Sequence, residues 1–191
     1  MREVIVTAGT RAAGKSTFCE KTIALIPSIV EVSRDKILIE LFGSTSLSPY
    51  GGGHYYAYEK MWEAVKKVLQ APKVTMILDV WNGDSEERKS IIKQLRKLGA
   101  DRVVVWYFTT PVETVSEWFW RKPGIAKMGD TSPRTDGKVG YYSEDAPVND
   151  HKLFHLYAED IDSDGFDEVI RVNPLTMNPG DIIPMQTSLV L

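Results

Sequence analysis

Cysteine is nearly absent: Cys19 is the only one in 191 residues. No intrachain disulfide is therefore possible, and the thiol is expected as a buried structural side chain. Long apolar runs are missing as well, so neither a membrane span nor a signal-peptide core can be drawn anywhere in the chain. With Met1-Arg2-Glu3 leading directly into a short strand, a soluble, cytoplasmic protein with no membrane partner is expected. Charge of one sign is not in excess, since 23 basic and 26 acidic side chains give a formal charge of −3. The surface as a whole does not attract nucleic acid or anionic lipid, and any polyanion site must be local. Histidine is scarce, and the pair His151 and His155 lacks the flanking glutamate of a zinc motif. Both are expected to be solvent-facing helix residues. No Asn-Lys-x-Asp element follows any expected strand, which argues against a guanine-nucleotide switch, and the length leaves little room for the added elements of a motor ATPase.

What the chain does have is concentrated near its start. The apolar run Val4-Ile5-Val6 is followed by Gly9-Thr10-Arg11-Ala12-Ala13-Gly14-Lys15-Ser16-Thr17. A backbone wrapped tightly around a polyphosphate needs glycine where a side chain would clash, and it leaves successive N–H groups pointing inward. Gly9 and Gly14 stand at those places. Lys15 can then reach the β- and γ-phosphate oxygens, and the Ser16 hydroxyl can hold Mg2+. Thr17 begins the helix whose positive end faces the anion. The pattern in strand–loop–helix context points to a bound nucleoside triphosphate.

Further along, strands are expected at 29–32, 74–79, 103–108 and 166–172, and helices at 34–42, 54–69, 85–98, 112–120 and 148–157. Asp84 with Glu87 forms a capping box at the start of the third of these helices. The serine-, glycine- and proline-rich stretch 44–53 reads as a loop. Residues 121–147 form a locally basic flap or lid with Arg121, Lys122, Lys127, Arg134 and Lys138, and 175–191 form an irregular tail. Strands alternating with helices predict one α/β domain over 1–174, a three-layer sandwich around a parallel sheet. Ligands in such sheets collect at the carboxyl ends of the strands. The phosphate loop, Asp35 and Asp79 each follow or end a different strand, so this topology brings them to one edge.

Phosphoryl transfer to a hydroxyl needs an orienting acceptor for the hydroxyl proton, magnesium on the phosphates and cations over the moving group. Asp35 in Ser33-Arg34-Asp35-Lys36 is the candidate base; its bland alternative is to cap or neutralise the first helical turn. Most tryptophans are expected in the core. Trp81, beside Asp79 at a strand end, is the exception, placed to contact a nucleobase or to close an acceptor pocket.

These residues resemble the polynucleotide 5′-hydroxyl kinases of bacteriophage type and related small AAA-like P-loop kinases. The likeness rests on the opening strand and phosphate loop, on Ser33-Arg34-Asp35, and on Ile77-Leu78-Asp79-Val80-Trp81-Asn82 followed by Glu86-Glu87-Arg88-Lys89. It continues through Tyr107-Phe108-Thr109-Thr110-Pro111 before a helix and basic lid, and through Gly165-Phe166-Asp167-Glu168-Val169-Ile170-Arg171-Val172-Asn173-Pro174. It implies a P-loop NTPase fold of adenylate-kinase-like type, with ATP and Mg2+ held by residues 9–17. It further implies Asp35 as general base and Asp79 near the acceptor or acting on magnesium; Trp81, by its place beside Asp79, and Arg34, which precedes the base and can stand in for the arginine absent at Leu38, are the candidates for acceptor binding. Arg121, with Lys122 as substitute, is the lid cation it implies; the alternative for Arg121 is a favourable charge at a helix C-terminus.

The sequence departs from that pattern in places. Leu38 stands where the phage enzymes carry an arginine one turn after the base, and Ala12-Ala13 replace glycine and serine in the loop. No phosphatase-type Asp-x-Asp-x-Thr signature follows, so no second catalytic domain is expected. The leading expectation is an ATP-dependent kinase acting on a DNA or RNA 5′-hydroxyl. A kinase for a nucleoside or sugar, and a nucleotide-binding regulatory module with little transferase activity, are the alternatives.

Overall fold

The strand that leads into the phosphate loop lies at the centre of the sheet. In the computed structural model, which describes residues 1–43, 45, 53–130 and 140–183, this is β1 (Arg2–Ala8). It pairs in parallel with β3 (Val74–Asp79) on one side and β4 (Arg102–Phe108) on the other. Outside β3 lies β2 (Val30–Ser33), and outside β4 lies β7 (Glu168–Val172), giving the order β2-β3-β1-β4-β7. The chain leaves β1, returns through β2 and β3, then crosses to β4. Direction therefore reverses around β1, the place where open α/β sheets bind ligands.

Alternation of side chains across the strands makes two apolar faces. Val4, Val6, Met76, Leu78 and Val103 pack against α3 (Gly53–Val68) and α4 (Ser85–Lys97) through Met61, Val65, Ile91 and Leu95. Ile5, Ile77, Val104, Trp106 and Phe108 take the opposite face with Phe18 and Cys19 of α1 (Lys15–Leu25). Cys19 is fully buried and free, as expected of a structural thiol. The short helix α2 (Arg34–Phe42) follows β2 without a break.

On the β4 side, α5 (Val112–Arg121) leads to a small two-stranded pair, β5 (Ile125–Lys127) with β6 (Gly140–Tyr142), inside the segment expected to be a flap. Helix α6 (Ala146–Tyr157) follows and packs Phe154 and Ala158 on Ala8, Val105 and Tyr107. It begins two residues earlier than expected. Pro147 falls in its first turn, where a missing N–H costs nothing. The tail is also less irregular than expected: α7 (Pro179–Ile182) forms because Asn178 and Asp181 satisfy each other's backbone N–H groups in a capping box. Residues 44, 46–52, 131–139 and 184–191 lie outside the described residues; they hold most of the expected serine- and glycine-rich loop, the lid residues Arg134 and Lys138, and the end of the tail. No described helix is long and apolar enough to cross a membrane.

Candidate active site

The loop between β1 and α1 is built by close packing from behind. A Cβ on Gly9 would lie 2.9 Å from the Phe108 Cβ, so glycine is what lets the loop start against the tip of β4. Gly14 has φ +87° in the left-handed region, and a Cβ there would also meet the Trp118 ring at 2.9 Å. Ala12 adopts φ 62°, a conformation that costs an L residue roughly 1 kcal/mol. Part of the compensation is visible: Thr110 Oγ1 donates to Ala13 O at 2.7 Å, tying the loop to the chain after β4. Thr10, Ala12 and Ala13 are buried, whereas Ser16 and Thr17 are exposed at the start of α1. The first turn of α1 holds no acidic residue, which leaves its positive end free for an anion.

Lys15 folds back over this loop, donating to Gly9 O at 2.8 Å and Thr10 O at 3.0 Å. Burial pushes its pKa down, Asp79 opposes that, Lys122 adds to it and Asp35 opposes it again. The ammonium thus senses both expected carboxylates and one lid cation. Asp79 closes β3 with both oxygens engaged: Thr7 Oγ1 donates at 2.7 Å and Ser33 Oγ at 3.3 Å. The register sets this arrangement, because Ser33 pairs directly with Asp79.

Asp35 lies two residues beyond Ser33, in the first turn of α2, exposed and 3.2 Å from Arg34. The α2 N-cap is Ser33, whose hydroxyl accepts from Lys36 N, so Asp35 does not serve as the cap. Arg34 is half-buried. Its Nε has no hydrogen-bond partner among the described residues, and its guanidinium is close enough to pull the Glu87 pKa down. That carboxyl nevertheless sits above the usual value, chiefly because it is buried. Leu38, at the position of the phage arginine, is fully buried and offers nothing to a ligand. Trp81 is half-exposed on the turn after Asp79.

Arg121 and Lys122 separate clearly. Arg121 is 72% exposed and pairs with Glu117 one turn back on α5 at 2.6 Å. Lys122 keeps solvent contact yet loses enough hydration to lower its pKa, with repulsion from Arg11 adding to the effect and Asp35 and Asp79 opposing it. Of the two, Lys122 is therefore the cation whose charge is coupled to Asp35 and Asp79. Arg11 leaves the loop for the lid, lying 5.3 Å above the Tyr142 ring and 3.9 Å from Asp150. If Lys122 is the lid cation that the family resemblance implies, Lys122→Ala should lower turnover about tenfold or more, since such a cation acts mainly in the transition state. Arg121→Ala should stay within about threefold, as for other surface pairs. Steady-state kinetics of the two variants checks this, and a larger loss at Arg121 would reverse the assignment.

Oxygen donors suited to Mg2+ are present in Ser16 and Asp79. Magnesium in nucleotide sites takes only one or two protein oxygens besides phosphates and water. No group of three or more His, Cys, Asp or Glu among the described residues could hold a metal unaided, and Ser16 with Asp79 fits the sparser pattern. The lone pairs of Asp79 left over by Thr7 and Ser33 suit a metal-bound water.

The histidine pair departs from what the sequence suggests. His151 and His155 do not simply face solvent; they are half-buried against the end of β4. His155 Nδ1 lies 2.5 Å from the Tyr107 hydroxyl, the two Nε2 atoms are 3.0 Å apart, and His151 Nε2 is 3.2 Å from Thr110 O. The contacts are all met by a neutral pair in which His151 Nε2–H is shared and His155 Nδ1–H donates to Tyr107. A further proton would set two N–H groups face to face. Burial, then His151, holds the His155 pKa below its usual 6.5. The unfolded chain therefore binds more protons between the folded value and 6.5, and the stability contributed by neutral His155 is lost as pH falls through that interval. Thermal midpoints at pH about 7.5 and about 5 should differ less in His155→Gln than in the wild type. An identical acid slope would exclude this role.

Several residues support the site in roles that the sequence does not reveal, although Ser33, Thr110 and Arg88 stand in segments that carry the family likeness. Thr7 and Ser33 position Asp79; Thr110 anchors the loop; Arg88 is wholly buried and binds Asp164 at 2.5 Å. Only Arg88 leaves a trace in the pattern. It occupies the apolar stripe of α4 with Ile91, Ile92 and Leu95, an odd place for a guanidinium unless it is paired.

A central parallel strand, a left-handed glycine-bearing loop with its lysine folded over it, and a carboxylate at the tip of the next strand define a P-loop α/β protein with the kinase-type fold. The chain belongs to the AAA domain family, whose model matches residues 4–125. No curated protein matches it in sequence. Among solved structures it is similar to a chain of the Pnkp1/Rnl/Hen1 RNA repair complex, at 18% identity and TM-score 0.63, with 83% of this chain and 46% of that one covered. It therefore spans about half the length of that chain. It is also similar to a Chloroflexus aurantiacus protein assigned as a kinase, at 13% identity, TM-score 0.61 and coverage of 95% and 91%. Shikimate kinase from Acinetobacter baumannii follows at 15% identity, TM-score 0.50 and coverage of 91% and 84%. At these identities the likeness is one of fold.

Proposed function

We propose that this chain is an ATP-dependent phosphotransferase that moves the γ-phosphoryl group to an alcohol, foremost the 5′-hydroxyl of a DNA or RNA end. The observation that carries the reading is geometric: Lys15 folds over the glycine-bearing loop after β1, bonding to Gly9 O and Thr10 O, while Asp79 closes the neighbouring strand β3 as register partner of Ser33, two residues before Asp35. Residues 9–17 cradle the triphosphate, with Lys15 on its β- and γ-oxygens. Ser16 and Asp79 would hold Mg2+, which would supply charge neutralisation on the phosphates. Asp35 takes the proton of the acceptor hydroxyl as its oxygen bonds to the γ-phosphorus; the bond from that phosphorus to the β,γ-bridging oxygen breaks, and ADP leaves. Lys122 stabilises the charge on the moving group.

Likeness to a chain of an RNA repair complex, and the sequence order shared with polynucleotide kinases, support a nucleic-acid acceptor. The buried Leu38 favours a second reading, a small-molecule kinase, because it removes the cation expected for an acceptor phosphate. Incubation with γ-labelled ATP and a panel of acceptors tests the proposal. Label on a 5′-hydroxyl oligonucleotide is the expected result. Label only on nucleosides or sugars would establish the second reading, and no acceptor-dependent transfer would leave a nucleotide-binding regulatory module.

A further inference from the structure

Exposed indoles are usually free to turn, yet Trp81 is held. It is 52% exposed. Gly83 lies against it so closely that a Cβ there would come within 2.5 Å of the indole Cζ2. From the side, Phe154 meets it edge-on, with ring centroids 6.2 Å apart.

The turn that carries it is fixed independently. Asn82 Nδ2 donates to Thr7 O at 2.7 Å and to Val80 O at 3.0 Å. Gly83 is held at both ends, its N–H donating to Glu87 Oε2 at 3.1 Å and its carbonyl accepting from Arg88 at 2.7 Å. Arg88 also donates to Tyr157 O at 2.8 Å and to Asp164, so the turn is bolted to the end of α6 from inside the protein. Packing of the core needs none of this for a side chain that half faces water. A rigid, solvent-facing aromatic is what a stacking site requires, because little conformational freedom is lost when a planar ligand arrives.

Its place in the sheet gives the ligand a position. Trp81 is two residues past Asp79 and Asp35 is two residues past Ser33, and Ser33 and Asp79 are register partners on adjacent parallel strands. Both residues therefore lie at the carboxyl edge of the sheet, Asp35 in the first turn of α2 and Trp81 on the turn beside Phe154 of α6.

We propose that Trp81 is a preset stacking platform for a nucleobase of the acceptor, so that the hydroxyl offered to Asp35 belongs to a nucleoside or an oligonucleotide end. This rests on the phosphotransferase reading and narrows it: an aliphatic alcohol has no face to lay on the indole, and a sugar, which can lay its C–H face there, is present in both acceptors of the test below and so gives no base-dependent effect. Stacking on an aromatic side chain is sequence-tolerant, so the site accepts any of the bases.

The test compares the wild type, Trp81→Phe and Trp81→Ala on two 5′-hydroxyl oligonucleotides, one with a terminal base and one abasic at that nucleotide. On the base-bearing acceptor, Trp81→Ala should raise the acceptor KM about tenfold to a hundredfold with little change in kcat, and Trp81→Phe should recover most of the loss. On the abasic acceptor the variants and the wild type should converge. Gly83→Ala, which pushes a methyl group into the indole, should reproduce the Trp81→Ala pattern. Equal losses on both acceptors, or no loss on either, would overturn the platform. If the wild type transfers no phosphate at all, the phosphotransferase reading fails separately, and quenching of indole fluorescence by the two oligonucleotides still decides the matter. Quenching that needs both Trp81 and the terminal base supports the platform; its absence overturns it.

Discussion

Asp35→Asn should lower phosphoryl transfer by about a hundredfold or more while leaving ATP binding close to wild type. The amide keeps the size and position of the carboxylate but cannot take the proton of an incoming hydroxyl. Among the described residues the exposed side chain bonds only to its neighbour Arg34, and the α2 cap belongs to Ser33, so the fold does not depend on it. Loss of a negative charge from a first helical turn costs roughly 0.3–1 kcal/mol, too little to mimic the kinetic effect by unfolding. Single-turnover transfer at saturating ATP, together with a nucleotide-binding titration, separates the two quantities. Turnover that survives the substitution would show that another group, or water alone, receives the proton.

Arg88→Ala should destabilise the fold severely, by about 3–5 kcal/mol. Both partners of the Arg88–Asp164 pair are fully buried at 2.5 Å. Removal of the guanidinium strands the Asp164 carboxylate with the Ser85 hydroxyl and a lysine at 3.9 Å, and leaves the carbonyls of Gly83 and Tyr157 without their donor. At roughly 2–4 °C per kcal/mol for a domain of this size, the thermal midpoint should fall by about 6–20 °C. Arg88→Met combined with Asp164→Leu should recover much of that loss, because an apolar pair of similar volume carries no unpaired charge. Calorimetry or urea unfolding of the single and double variants measures both effects. A single-variant loss under about 1 kcal/mol would mean that solvent reaches Asp164 and that the turn carrying Trp81 is not anchored as described.

The sheet is legible in the sequence because each buried strand is a short apolar run and each helix has its own stop or cap. The spacing of Asp84 and Glu87 alone marks the start of α4, and Glu87 N indeed bonds to Asp84 Oδ1 at 2.8 Å. The phosphate loop is legible because its glycines answer to geometry that sequence records directly. Side-chain direction is not legible. Arg121 and Lys122 are adjacent, yet only the end of α5 decides that Arg121 returns to Glu117 while Lys122, partly desolvated, has its pKa lowered. Thr7 and Ser33 likewise carry no local signal, since their role depends on strand pairing that joins residues far apart in the chain. The histidine pair escapes sequence reasoning for the same cause: the groups that bury it, Tyr107 and Thr110, come from β4 and the segment after it.

A structure of the chain with a non-hydrolysable ATP analogue, Mg2+ and a 5′-hydroxyl oligonucleotide tests the central claim most directly. The account predicts the acceptor oxygen within hydrogen-bond reach of Asp35, about 2.6–3.2 Å, and in line with the γ-phosphorus above Lys15. An acceptor bound elsewhere, with the Asp35 carboxylate pointing away from the γ-phosphate, would contradict it.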